Sequence, residues 1–206
     1  QRPEAHSSAE ARAAFQGGDL EKARKLYTQL LEGNLPETER REVSYGLGAT
    51  AHKLQDYDRA VDSFSEALRG EDAGLQVRAH RGIAHTLYDQ GDRALAKQPQ
   101  FTIRAWTDAL RHFDASIQIE PDAAAEENRD FVKKRLDELK KQIADREEDV
   151  NSLKARWQSE KDSLSQLQPL KEEIDRLRTL QDQAFKQAQR TNLNDDYIRA
   201  HETQQQ

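Results

Sequence analysis

Between Ser44 and Leu68 the chain reads SYGLGATAHKLQDYDRAVDSFSEAL. Gly48 and Ala51 lie on one helical face, a polar break falls at Gln55 and Asp56, and Ala60, Phe64 and Ala67 form a second apolar stripe. The pattern predicts two helices joined by a short turn. Small residues allow the pair to approach closely, Tyr57 and Phe64 fill the space beside it, and the apolar face left over needs a neighbouring copy to cover it. Copies are visible. Gly82 follows Gly48 by 34 residues, and upstream Leu20, Ala23, Tyr27, Leu30 and Leu31 precede Tyr57, Ala60, Phe64, Ala67 and Leu68 at a constant offset of 37.

Taken in order, Ser7 and Glu10 have capping-box spacing, so a first helix is expected from Ser8, with Ala11 and Ala14 inward, to Gly17 and Gly18. Asp19 caps a second helix through Ala23, Tyr27 and Leu31, which ends at Gly33 and Pro36. The first repeat thus spans about 5–36 and the second 41–70, with Asp56 as the cap between its helices. The third, 75–121, departs from the pattern: Ala109, Phe113 and Ile117 arrive about 15 residues late for a regular unit. Two extra turns in each arm, ~7 residues apiece, keep the packing register and give a longer, protruding hairpin with its tip at Gln98–Thr102 around Pro99. On its returning arm Ile103, Trp106, Leu110, Phe113 and Ile117 line one face opposite Ile83, Leu87, Tyr88 and Leu95, a row expected to seal the two arms together, with a partner-binding ridge of Phe101, Ile103 and Trp106 as the alternative.

Asp122 is a good helix start, with Asn128, Phe131, Val132 and Leu136 predicted inward. Phe131 stands where a further repeat would need glycine, so the array of residues 1–122 is expected to end there under a capping helix. The apolar positions then continue at 3-and-4 spacing through Leu139, Ile143, Val150, Leu153, Trp157 and Leu164, a coiled-coil seam interrupted by Arg146 and Glu160. At Leu167 the frame slips by three and Pro169 follows, so within 123–190 a kink or reversal is expected near Gln168, with the chain folding back on itself or pairing with a second copy. A break at Thr191–Asp196, a short helix and a frayed Gln-rich tail complete the reading to residue 206.

Composition narrows the possibilities. With 206 residues, 35% hydrophobic, 34% charged, 9 Gly and 5 Pro, the chain suits solvated helices better than one thick core. The net charge is -6, and the basic residues alternate with acids, so no nucleic-acid footprint is present. Absence of cysteine excludes disulfides and thiolate sites. No apolar run approaches the ~20 residues of a membrane span. Lacking methionine and starting at Gln1, the chain is expected to be a processed or trimmed product, which leaves its compartment open.

The repeat residues resemble those of the tetratricopeptide (TPR) family over roughly 5–135. The stretch GIAHTLYDQGDRALAKQPQFTIRAWTDALRHFDASIQIEPDAAAEENRDFVKKRL is similar to TPR proteins of the bacterial Bat aerotolerance type, which implies an envelope-associated, periplasmic scaffold. Residues 147–178 resemble the coiled-coil middle domain of ClpB-type disaggregases, especially in LKARWQSEKDSL and LKEEIDRLR, departing from it at Pro169. Nothing resembles the phosphate-binding loop of the ATPase modules which that domain serves. These likenesses imply an all-α fold, a TPR helical-hairpin solenoid of three repeats plus a capping helix, continuing into a coiled-coil arm.

TPR arrays bind peptides in a groove lined by the first helix of each repeat. The resemblance makes Tyr45, His52, Lys53, Arg78, Arg81, His85 and Thr86 candidate groove residues. The lysines and asparagines of a carboxylate clamp are missing, since Tyr45, Ala49, Ala79 and Ile83 stand in their places. The cationic lean of the third repeat suggests an acidic protein or peptide partner. Histidines 6, 52, 80, 85, 112 and 201 form no metal-ligand pattern, and no nucleophile elbow, phosphate loop or dinucleotide fingerprint appears. A non-enzymatic interaction scaffold without cofactor is therefore expected. The alternatives are an oligomerisation element, including a homodimer through the coiled coil, and a regulatory arm of a chaperone system.

Overall fold

Four aspartate and serine side chains set where helices begin. Ser7 accepts from the Glu10 N–H at 3.3 Å, Asp19 from Lys22 at 3.2 Å, Asp56 from Arg59 at 3.4 Å and Asp72 from Leu75 at 2.7 Å. Each satisfies a backbone donor that a helix start leaves bare. The computed structural model describes residues 7–203, with side chains to 195 and at 198. These residues form seven helices and no strand: α1 (Ser8–Gln16), α2 (Leu20–Glu32), α3 (Glu37–Lys53), α4 (Tyr57–Ala67), α5 (Ala73–Ala94), α6 (Pro99–Ile119) and α7 (Ala123–Thr203). They divide into two units, 1–143 and 144–206.

In the first unit α1 to α6 each pack on the next, and α3 also touches both α1 and α5 to form an inner row. The core is a succession of clusters, each shared by three consecutive helices. Ala11, Tyr27 and Val43 join α1 to α3; Ala51, Phe64 and Ile83 join α3 to α5; Ala84, Trp106, Phe113 and Val132 join α5 to α7. No hairpin has a core of its own.

The register between hairpins differs from the one the glycines suggested. A Cβ on Gly82 would stand 2.7 Å from the Phe64 ring tip, and one on Gly46 would stand 2.5 Å from the tip of Tyr27. Thr86 donates to the Gly82 carbonyl at 2.7 Å and Thr50 to Gly46 at 2.8 Å. The counterpart of Gly82 is thus Gly46, 36 residues earlier, rather than Gly48. Gly48 instead meets Phe64 from within its own hairpin, with a virtual Cβ 2.7 Å from that ring. One phenyl ring therefore sits between two glycines on successive inner helices.

α5 and α6 run 22 and 21 residues, against 17 and 11 for α3 and α4, so the added length of the third hairpin is helical. The turn lies at 95–98 rather than at Gln98–Thr102, because Pro99 opens α6, a first-turn position where its missing N–H costs nothing. Trp106 is 1% exposed and its indole N–H donates to the Tyr88 carbonyl at 3.0 Å, while Phe101 and Ile103 are half-buried. Trp106, Phe113, Ile103 and Leu110 thus seal the hairpin, the favoured of the two expectations for this row.

Ala125, Val132 and Leu136 are the inward residues of α7 within this unit. Phe131 and Asn128, expected inward, are exposed, and Phe131 meets only the edge of Tyr88 at 5.9 Å. Arg135 lies against the rings of Tyr88 and Trp106, donates to the Tyr88 hydroxyl at 2.6 Å and pairs with Asp92 at 3.0 Å. Leu139 packs on the same cluster, so this first seam position is occupied inside the repeats.

The second unit is the remainder of α7. The helix continues through Pro169 and through Thr191–Asp196, so neither the reversal near Gln168 nor the later break and short helix is present. Lys171, Glu172 and Glu173 are strong helix formers, and a proline removes only one backbone donor from a helix that continues on both sides. Val150, Leu153, Trp157 and Leu164 are 46%, 63%, 60% and 67% exposed, and Ile174 and Leu177 are also bare. The expected tail at 204–206, and residues 5 and 6 of the first repeat, lie outside the described residues.

Phe64→Ala should lower stability by about 3–5 kcal/mol, the range for losing a buried aromatic ring. Gly48→Ala and Gly82→Ala should each lower it by about 1–3 kcal/mol through overpacking, despite alanine's better helix propensity. Urea unfolding measures all three, and a glycine variant more stable than the parent would contradict the contact.

Candidate functional site

The inner row sets the site. Applying the 37-residue offset to Tyr45, Ala49 and His52 of α3 gives Ser8, Arg12 and Phe15 of α1, and the 36-residue offset gives Arg81, His85 and Tyr88 of α5. These positions face the same side of successive parallel helices. Between α1, α3 and α5 lies a cavity of about 490 Å³, walled by Arg12, Phe15, Tyr27, Glu42, Tyr45 and Arg78 among others. It is part apolar and part charged, the mixture that side-chain recognition needs.

Of the seven candidates, Tyr45 and Arg78 line this cavity. The Arg78 guanidinium lies 4.9 Å over the Tyr45 ring and donates to Glu42 at 2.7 Å, a cation held by an aromatic face and a carboxylate together. Burial raises the Tyr45 phenol pKa above its ordinary value, with Arg78 opposing, so the hydroxyl is neutral. Lys53 sits over the Phe15 ring at 4.9 Å, at the α1 side of the same row.

The remaining candidates form a second group along α3 and α5. His52 Nδ1 is 3.0 Å from the Thr86 hydroxyl and its Nε2 is 3.3 Å from an Asp89 oxygen. Thr86 is fully buried, which removes it as a ligand contact; its hydroxyl ties α3 to α5. His85 is exposed, with its ring edge-on to Phe113 at 5.2 Å. Arg81 Nη1 pairs with Asp122 at 2.8 Å, and its buried Nε and Nη2 have no partner. The cationic lean of the third repeat is thus largely neutralised within the fold: Glu42 holds Arg78 and Asp122 holds Arg81.

Arg12, Phe15 and Glu42 were not singled out from sequence. The signal was present, because the repeat offset carries the α3 groove positions straight onto α1. Among the described residues no group of three histidine, cysteine or acidic side chains is placed to hold a metal ion. No helix of the described residues is long and apolar enough to cross a membrane.

Asp122→Asn should destabilise the chain more than Arg81→Leu, because the first strands a partly buried guanidinium whereas the second removes it. The difference should be on the order of 1 kcal/mol in urea unfolding. The reverse order would show that Arg81 is hydrated.

No family model matches the chain. Local similarity to chaperone proteins is present. The chain is 36% identical over 75 residues to the chaperone protein ClpB of Corynebacterium glutamicum, which covers 36% of this chain and 9% of that protein. It is 49% identical over 43 residues to the chaperone protein ClpB 2 of a Nostoc species, covering 21% of this chain and 5% of that one. The ClpB of Leptolyngbya boryana is 51% identical over 43 residues, again 5% of its length. The chain therefore spans under a tenth of the length of these relatives, to which part of it bears a helical likeness.

Proposed function

We propose that this chain is a non-enzymatic interaction component whose helical arm, residues 144–203, acts as the regulatory coiled-coil arm of a chaperone system. One observation carries the reading: a row of large apolar side chains from Val150 to Leu177 is exposed on a charged helix, in a chain with local similarity to ClpB. Leaving such a row wet is unfavourable by roughly 25 cal/mol per Å², so a protein surface that covers it gains affinity from burial. Arg146 and Glu160, at seam positions, select a partner that offers them counter-charges. These 206 residues hold no phosphate-binding loop, so the ATPase ring that such an arm would regulate lies outside them.

The intact chain should change the ATPase rate of a ClpB-type ring, and Leu153→Asp with Leu164→Asp should abolish the change. An intact chain without effect on the ring at saturating concentration would contradict the reading.

A second reading rests on the cavity beside Tyr45 and Arg78. We read 7–122 as a TPR-type array that takes an acidic peptide segment there, with Arg12 as the cation that is not held by a carboxylate in the same wall. Arg12→Glu should weaken binding of acidic peptides about tenfold in fluorescence anisotropy, equivalent to about 1.4 kcal/mol. Equal affinity of the variant would remove the groove from the account.

A further inference from the structure

α5 and α6 each carry a histidine at the same level of their hairpin, well away from the turn at 95–98. Nδ1 of His80 lies 2.9 Å from Nδ1 of His112, and the ring centroids are 5.1 Å apart with a 43° tilt. At that separation one nitrogen donates a proton and the other accepts it, which requires at least one neutral ring. Both rings are half-buried, among the buried Ala79, Ala109, Phe113 and Ser116 of the same two helices. Among the described residues, the groups acting on the pair electrostatically are the rings themselves and Asp108 of α6, whose carboxylate is bonded to Arg111 at 2.7 Å. Neither ring has a carboxylate of its own to accept a second proton's charge.

We propose that His80 and His112 form an acid-sensitive latch between α5 and α6: one shared proton holds the rings together, and protonation of both sets two cations against each other and loosens the hairpin. Burial holds both histidines below their ordinary pKa; at His112 the neighbouring His80 adds to this and Asp108 opposes it. The unfolded chain therefore takes up protons first as pH falls. Stability from the pair is complete above about pH 6.5, and it is lost as pH drops below that value. The consequence reaches both sides of the hairpin. α5 carries Arg78 and Arg81 of the inner row, and α6 carries Trp106 and Phe113, on which Val132 and Leu136 pack.

The test is urea unfolding of the full chain, followed by Trp106 fluorescence in a Trp157→Phe background, from about pH 7.5 to about pH 5. The parent midpoint should fall across this range. His112→Gln keeps a hydrogen-bonding side chain without a titratable one, so the fall should shrink there by more than in His85→Gln, which removes the separate contribution of a histidine that burial also holds below its ordinary pKa. An identical pH dependence in the parent and His112→Gln overturns the latch. Should His112→Gln not fold, imidazole NMR titration of the parent decides. His80 and His112 titrating below the ordinary histidine value of about 6.5 supports the latch, and titration at or above it overturns it.

Discussion

The Phe64 ring, seated between Gly48 of α3 and Gly82 of α5, is the contact on which the repeat unit depends. It requires three things at once: a flat side chain on α4, and two helices whose backbones come within ring-contact distance of it. A Cβ at either glycine would stand about 2.7 Å from the ring, closer than carbon atoms approach, so substitution forces the inner helices apart. Tyr27 against Gly46 repeats the contact one hairpin earlier. The core clusters follow from it, because once one ring belongs to two hairpins the apolar residues around it do too. Part of the stability then resides between hairpins, beside the larger contact that each hairpin makes within itself.

The same spacing that seats the rings orders the inner face. Positions 45, 49 and 52 of α3 recur as 8, 12 and 15 of α1 and as 81, 85 and 88 of α5, a set that holds arginines, histidines and aromatic rings. There Arg78 pairs with Glu42 and Arg81 with Asp122, and His52 Nε2 lies 3.3 Å from an Asp89 oxygen. Pairing of this kind leaves the inner face with little net cationic character.

Much of this was legible from residues alone. The caps Ser7, Asp19 and Asp56, the aromatic and alanine stripe of α2 and α4, and the added length of the third hairpin all follow from local pattern, since each is decided within one or two helical turns. The register of the inner helices was misread. Gly48 and Gly82 share a residue type at the familiar 34-residue spacing, but the match to Gly82 is made by Gly46 through its threonine four residues on, a signal visible only when Thr50 and Thr86 are paired. Trp106 and Phe113 were rightly read as sealing the two arms of the third hairpin, because both lie on one helical stripe of α6. The continuity of α7 through Pro169 was missed because a proline's local cost was weighed without the helix formers that follow it.

Solution NMR of the intact chain tests the central contact most directly, through nuclear Overhauser effects from the Phe64 ring protons. The account predicts cross-peaks to the α-protons of both Gly48 and Gly82 in the same state. Cross-peaks to one glycine alone, or to neither, would mean that successive hairpins do not share this ring and would contradict the packing from which the inner face was derived.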